Sequence, residues 1–176
     1  MKKIVSFILA LMLIALPLTS CGAANTGEAP MGFVEISDDG LSYNLYVPDE
    51  WTPDLSTGVT SAYFDGRDPS NISMMAFELD RTITSLEDYW TSYEPDLKAI
   101  FPDLAYVDTA EATLDGVPAM QYIYTASMSG LSYKIMQLTA IRNNTIYIFT
   151  YTATADKYDA HIEDVIAMLD YFCFTE

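Results

Sequence analysis

Basic residues, histidine and cysteine are all scarce in this chain of 176 residues, and each scarcity closes off a class of function. Histidine occurs once, at position 161, and cysteine twice, at positions 21 and 173. No Cys/His cluster therefore exists to hold zinc. No Gly-x-Ser-x-Gly elbow is present to carry a nucleophilic serine. Lys and Arg number 8 against 25 Asp and Glu, a formal net charge of −17. A surface of that sign repels phosphate backbones and anionic headgroups alike, so no nucleic-acid partner is expected. Long hydrophobic runs are missing too. The apolar run from Ile4 to Leu16 falls short of the ~20 residues that span a bilayer, and no later segment comes near that length.

That run does have a setting. Lys2 and Lys3 precede it and small residues follow it, the three parts of a removable secretory signal over residues 1–20. Leu18-Thr19-Ser20-Cys21 resembles the lipobox of bacterial lipoproteins, in which the cysteine sulfur receives a diacylglycerol and becomes the new N-terminus. The alternative is a plain signal peptide that happens to contain a cysteine. In the first reading Cys21 is the lipidation site and Cys173 is left without a disulfide partner. Cys173, between Phe172 and Phe174, is then expected as a small buried hydrophobe. Two or three acyl chains, at ~0.8 kcal/mol per buried methylene, hold a protein to a membrane far more firmly than one.

Removal of residues 1–20 leaves Cys21 to Glu176, a single domain of ordinary size. Lys2 and Lys3 leave with the signal while every carboxylate stays, so the mature chain is more acidic still. That acidity serves solubility, or attracts cations or a basic partner. Residues 21–32 comprise the lipidated cysteine and a small, polar, glycine-rich tether with a mean span of roughly 18 Å.

From residue 33 the chain reads as one domain to residue 176. Leu41 to Val47 alternates like a half-buried strand, and Pro48-Asp49-Glu50-Trp51 turns it. Val59 to Phe64 and Ile72 to Leu79 follow as strands, joined by Asp65 to Asn71, a loop by composition. Residues 85–101 switch to helical spacing. Ser85 or Thr84 is placed to cap them, Glu87 and Asp88 suit the first turn, and Pro95 is expected to kink or split the helix. Ala105 to Leu114, Ala119 to Met128, Tyr133 to Arg142 and Thr145 to Ala153 are strands, with tight turns at Ser129-Gly130 and Asn143-Asn144. The uncharged character of the later runs places them inside a sheet rather than at its edge. A last helix is expected around residues 156–171. The fold class is α+β, a central antiparallel β-sheet with helices packed on it.

Three groups of residues are candidates for chemistry. His161 lies at the edge of the last helix's apolar stripe. Partial burial is its expected role, against catalysis with a serine or cysteine. Asp65, Asp68 and Asn71, spaced three apart with Gly66 between, offer oxygen ligands for a cation such as calcium. Asp38-Asp39-Gly40 is a second short acidic turn, and all of these are also ordinary turn residues. Tyr89, Trp90 and Tyr93 in the first helix, with Trp51, would line an aromatic recognition groove, or else pack the helix onto the sheet.

The order of "YNLYVPDEW", "LDGVPAMQYIYT" and "YKIMQLTAIRNNTIYIFTYTATADKYDAHIEDVIAMLDYFCF" resembles the PsbP-like (LpqN/DcrB-like) domain found in many bacterial lipoproteins. The shared features are a Pro-x-x-Trp turn, an Asp-Gly before a strand and a Tyr-Thr-Ala-Thr ending that enters the last helix. The resemblance implies an α-β-α arrangement and non-enzymatic accessory or binding members, and it carries over no functional residue. The expected function is a lipid-anchored, non-catalytic binding or accessory module on the extracytoplasmic face of the cell membrane. It would reach the membrane through Cys21, act with an envelope protein partner and need no cofactor. The alternatives are a small-ligand or calcium-binding lipoprotein and a hydrolase.

Overall fold

The computed structural model describes residues 29–54, 56 and 58–175. Cys21, the leader 1–20 and residues 21–28 lie outside them. Eleven strands and two α-helices follow in chain order among these residues. Four short strands come first: β1 (Phe33–Glu35), β2 (Tyr43–Asn44), β3 (Tyr46–Pro48) and β4 (Thr52–Pro53). The long strands β5 (Thr60–Asp65) and β6 (Asp68–Glu78) lead into helix α1 (Leu86–Ile100). Then come β7 (Ala105–Leu114), β8 (Val117–Met128), β9 (Leu131–Arg142) and β10 (Thr145–Thr154). Helix α2 (Ile162–Tyr171) and β11 (Cys173–Phe174) end the chain.

The central sheet runs β4-β5-β6-β10-β9-β8-β7, every neighbouring pair antiparallel. Its β7-to-β10 portion is a meander closed by three two-residue turns, at Asp115-Gly116, Ser129-Gly130 and Asn143-Asn144. All six of these residues have positive φ, from 45° to 81°. Left-handed turns match the twist of the strands they join, and Asp, Asn and Gly adopt that conformation most readily. Beside the sheet, β1 pairs with β3 and β2 with β11. The expected single strand over 41–47 thus divides at Leu45, whose N–H bonds to the Ser37 hydroxyl and whose carbonyl accepts the Ile36 N–H.

The two faces of the sheet carry different cover. On β10, Tyr147, Phe149 and Tyr151 point to one side and Ile146 and Ile148 to the other. The first side is sealed by Val165, Met168 and Phe172 of the α2 segment together with Tyr43, Leu45, Val47 and Trp51. On the second side α1 packs Tyr89 near Ile146 and Ile148, and Leu97 near Tyr122, Tyr124 and Ile135. The result is an α-β-α sandwich. Cys173 is buried, at 8 % exposure.

Two helices differ from expectation. Ser85 caps α1 by accepting the Asp88 N–H at 3.0 Å, while the Asp88 carboxylate accepts from the backbone and hydroxyl of Thr84. The helix nevertheless runs through Pro95 unbroken. Pro95 and Thr91 both lie on the exposed side, so the carbonyl deprived of its N–H partner faces water, and the buried Tyr89 and Leu97 hold the two halves to the sheet. At the other end, the expected helix over 156–171 is a 3-10 turn at Tyr158–Ala160 followed by α2. The Tyr151 hydroxyl donates to the Tyr158 carbonyl at 2.8 Å, the acceptor that Ile162 would need in one continuous helix.

Candidate binding surfaces and a buried histidine cluster

The loop expected over 65–71 is a two-residue turn at Gly66-Arg67. Asp65 faces Asp68 across the hairpin, and Asn71 already pairs with Tyr63 on β5 and Thr152 on β10. Each side chain of the proposed cation set is engaged separately. The Asp65 carboxylate accepts the Arg67 N–H, and the Asn71 amide donates to the Pro69 carbonyl. Asp68 turns inward, and its Oδ1 accepts the Ser70 hydroxyl at 2.6 Å and the Ser70 N–H at 3.1 Å. Its Oδ2 lies 3.0 Å from His161 Nε2. Among the described residues no group of three or more His, Cys, Asp or Glu is placed to share a metal ion.

His161 is the hub of this cluster. It sits at the N-terminus of α2 but makes no side-chain capping bond, because its ring turns to Asp68. Its other nitrogen, Nδ1, lies 3.7 Å from Asp164 Oδ2, an oxygen that accepts the Trp51 indole N–H at 3.1 Å. Phe64 lies over the imidazole at a centroid distance of 4.0 Å, and Trp51 meets it edge-on. Burial alone would raise the Asp68 pKa, but the donors from Ser70 and His161 outweigh it and hold the carboxyl below its ordinary value. The group has the residue types of a catalytic triad in the wrong order. Ser70 donates to the carboxylate rather than to the imidazole and is fully buried, so nothing activates its oxygen. The cluster ties β6, the Trp51 turn and α2 together.

The four aromatic candidates divide between the two faces. Trp51 is buried at 2 % exposure on the α2 side, while Tyr89, Trp90 and Tyr93 belong to α1 on the other. They do not line one groove. Trp90 stacks on Tyr122 with centroids 3.5 Å apart and planes 5° from parallel, and Tyr93 stacks on Tyr89. Burial, with Tyr93 beside it, raises the Tyr89 hydroxyl to about 12. These rings fasten the helix to the sheet.

A different surface stays open. On the α1 side the helix covers β8, β9 and β10 and reaches Tyr106 of β7, but it leaves β5 and most of β6 open among the described residues. By alternation Ser73, Met75 and Phe77 of β6 share this face with Ile146 and Ile148, as do their β5 neighbours Ser61 and Tyr63. Tyr63, Met75 and Phe77 are 39 %, 39 % and 45 % exposed, and their row ends at the Phe77–Tyr89 contact under α1. A shallow depression of about 300 Å³ is lined by Val59, Ser61, Tyr63, Asn71, Ser73 and Met75. A second one, of about 240 Å³, adjoins it at Val59 and Met75 and extends to Phe77. Sequence reasoning missed this surface. Its residues alternate as those of any half-buried strand do, and no local signal says where a helix will stop covering them.

No protein-family profile matches the sequence, and no curated protein is similar to it. Solved structures are. Cyanobacterial PsbP (CyanoP) from Synechocystis sp. PCC 6803 superposes with a TM-score of 0.61 at 15 % identity, covering 90 % of this chain and 99 % of that one. The fold is PsbP-like. The Ran-binding protein Mog1p of Saccharomyces cerevisiae shares this PsbP-like arrangement at a TM-score of 0.60 and 11 % identity, over 84 % of this chain and 97 % of Mog1p. LpqN, involved in cell envelope biogenesis of Mycobacterium tuberculosis, does so at 0.56 and 18 %, over 82 % and 91 %. Identities this low speak for the PsbP-like architecture alone.

Proposed function

We propose that this chain is a lipid-anchored binding or accessory module of the bacterial envelope, held on the extracytoplasmic face of the cell membrane through Cys21 and catalysing nothing. The observation that carries the binding role is the open half of the α1 face, where Tyr63, Met75 and Phe77 stand exposed in a row beside two shallow depressions. Aromatic and methionine side chains gathered on an otherwise polar, acidic surface are the composition of an interaction patch. The anchor is supported by Leu18-Thr19-Ser20-Cys21 after an apolar leader. Of the similar proteins, Mog1p is Ran-binding and LpqN is involved in cell envelope biogenesis, which fits an accessory role on this architecture.

The test is crosslinking of the full chain in its native membrane followed by mass spectrometry. The expected result is one reproducible envelope protein whose yield falls sharply in a Tyr63→Ser, Phe77→Ser double variant, with Cys21→Ser releasing the protein from the membrane. An unaltered crosslinking pattern in the double variant overturns the assigned surface. Membrane retention of Cys21→Ser overturns the anchor.

A further inference from the structure

The central sheet ends differently on its two sides. At one edge stands β4, two residues long with Pro53 as one of them. Shortness and proline are devices that stop a sheet from recruiting another strand. At the other edge stands β7, ten residues long and joined to β8 alone among the described residues. It contains no proline and no lysine. Ala105 to Thr109 are all exposed, as are Glu111 and Thr113. Between the pairs Tyr106↔Tyr124 and Asp108↔Ile123 the register shifts and Val107 is extra, a bulge that leaves this valine 56 % exposed. Beyond the bulge, Asp108 to Leu114 run in unbroken register with β8, and that stretch is as long as an ordinary strand.

The charge carried by the strand itself is of one sign, and Lys98 of α1, which lies 5.8 Å from the Tyr106 ring centre, is paired with Glu94. Residues 99–133 contain Asp103, Asp108, Glu111 and Asp115 and neither lysine nor arginine. Charged side chains, lysine above all, and bulges keep an edge from pairing with any passing strand, and a single sign of charge restricts it to partners of the opposite sign. This one carries carboxylates, with Tyr106 and Val107 exposed beside them.

We infer that β7 is a docking edge for an extended, basic segment of a partner protein, which adds to the sheet as an eighth strand. Backbone hydrogen bonds supply the pairing, lysine or arginine side chains meet Asp108 and Glu111, and an apolar residue of the segment covers Val107. A second copy of this chain is the wrong occupant. Antiparallel self-pairing is centred on a residue, because directly opposed side chains share a face; centred on Glu111 it sets that carboxylate opposite its own copy, and in any register it brings two acidic edges together, which repel. This edge is distinct from the open face formed by Tyr63, Met75 and Phe77, so the two surfaces stand or fall separately.

The probe is a synthetic peptide of valine and threonine with two lysines three residues apart, one for each face, titrated into the full chain in detergent micelles. A second peptide of the same sequence is N-methylated at alternate residues, which keeps every charge and removes the donors along one edge. Loss of two or three hydrogen bonds at about 1 kcal/mol each weakens the methylated peptide at least about tenfold. Amide NMR shifts from the unmethylated peptide should fall on residues 105–114. An Asp108→Lys, Glu111→Lys variant should weaken it by at least a further tenfold or so with the fold unchanged by circular dichroism. Equal binding of the two peptides overturns the proposal, because attraction to net charge would then explain everything. Shifts centred on Tyr63 and Phe77 overturn it in favour of the open face. Concentration-dependent self-association through β7 in ultracentrifugation overturns it in favour of a second copy.

Discussion

The two faces of one sheet are built to different degrees of completeness. On the α2 side a single core runs from Ile36 near the start of the domain to Phe172 near its end, and Trp51, Phe149 and Tyr151 are among its fully enclosed side chains. On the α1 side two smaller clusters lie under the helix, and β5 and β6 then continue with nothing over them among the described residues. The same strands serve both faces, so β-propensity does not account for the difference. One face is spent on stability, and half of the other is left for something else.

The largest expected effect is on the sealed side. Trp51→Ala removes a wholly buried indole and leaves the Asp164 oxygen without its N–H donor, and should cost about 3–5 kcal/mol in urea unfolding. Trp90→Ala, on a partly exposed ring held mainly by Tyr122, should cost about 2 kcal/mol. Equal losses from the two would break the comparison.

Asp68→Asn tests the cluster behind the sealed face and should cost about 2 kcal/mol near neutral pH. The Asp68 pKa is depressed in the folded protein, so its contribution is fully present above the ordinary carboxyl pKa and is lost as pH falls through the lower folded value. The gap between wild type and Asp68→Asn should therefore hold down to about pH 5 and close well below pH 4. Urea melts across that range would show it, and a gap that closes between pH 7 and 5 would put another group in control.

On the open half, Tyr63→Ser, Met75→Ser and Phe77→Ser should each move stability by no more than about 0.5 kcal/mol while partner crosslinking falls. A loss on the scale of Trp51→Ala would mean that this half is core after all. Millimolar calcium should leave the melting temperature unchanged, since Asp65, Asp68 and Asn71 turn to different partners, the two carboxylates as acceptors and the Asn71 amide as a donor.

The meander was the most legible part of the sequence. Its strand boundaries follow from turns whose residues tolerate positive φ, a local property that needs no knowledge of partners. The Ser85 cap and the apolar stripe of α1 were legible for the same reason. The segment 65–71 misled because its composition is that of a loop, yet β10 pairs with β6 only from Asn71 onward. Pro69 lies outside that ladder, where its missing N–H costs nothing. The histidine cluster was illegible because His161 meets a carboxylate 93 positions earlier, and that carboxylate looked like a turn residue. The division of the aromatic candidates between the two faces depends on where Trp51 is carried after Pro48, which is a tertiary matter.

The pairing of β11 with β2 has a kinetic consequence. The meander closes over near neighbours, and such contacts form quickly. Cys173 and Phe174 instead meet Asn44 and Tyr43, while Thr175 bonds back to Leu41 and Ser42. No part of that clasp can close until residues 173–175 reach β2, and bringing such distant positions together carries a loop-closure cost that nearby turns avoid. The hairpins are thus finished well before the domain is. During that interval the apolar inner surfaces of β2 and β3 lack their cover, and the unfinished domain is at its most exposed to proteases.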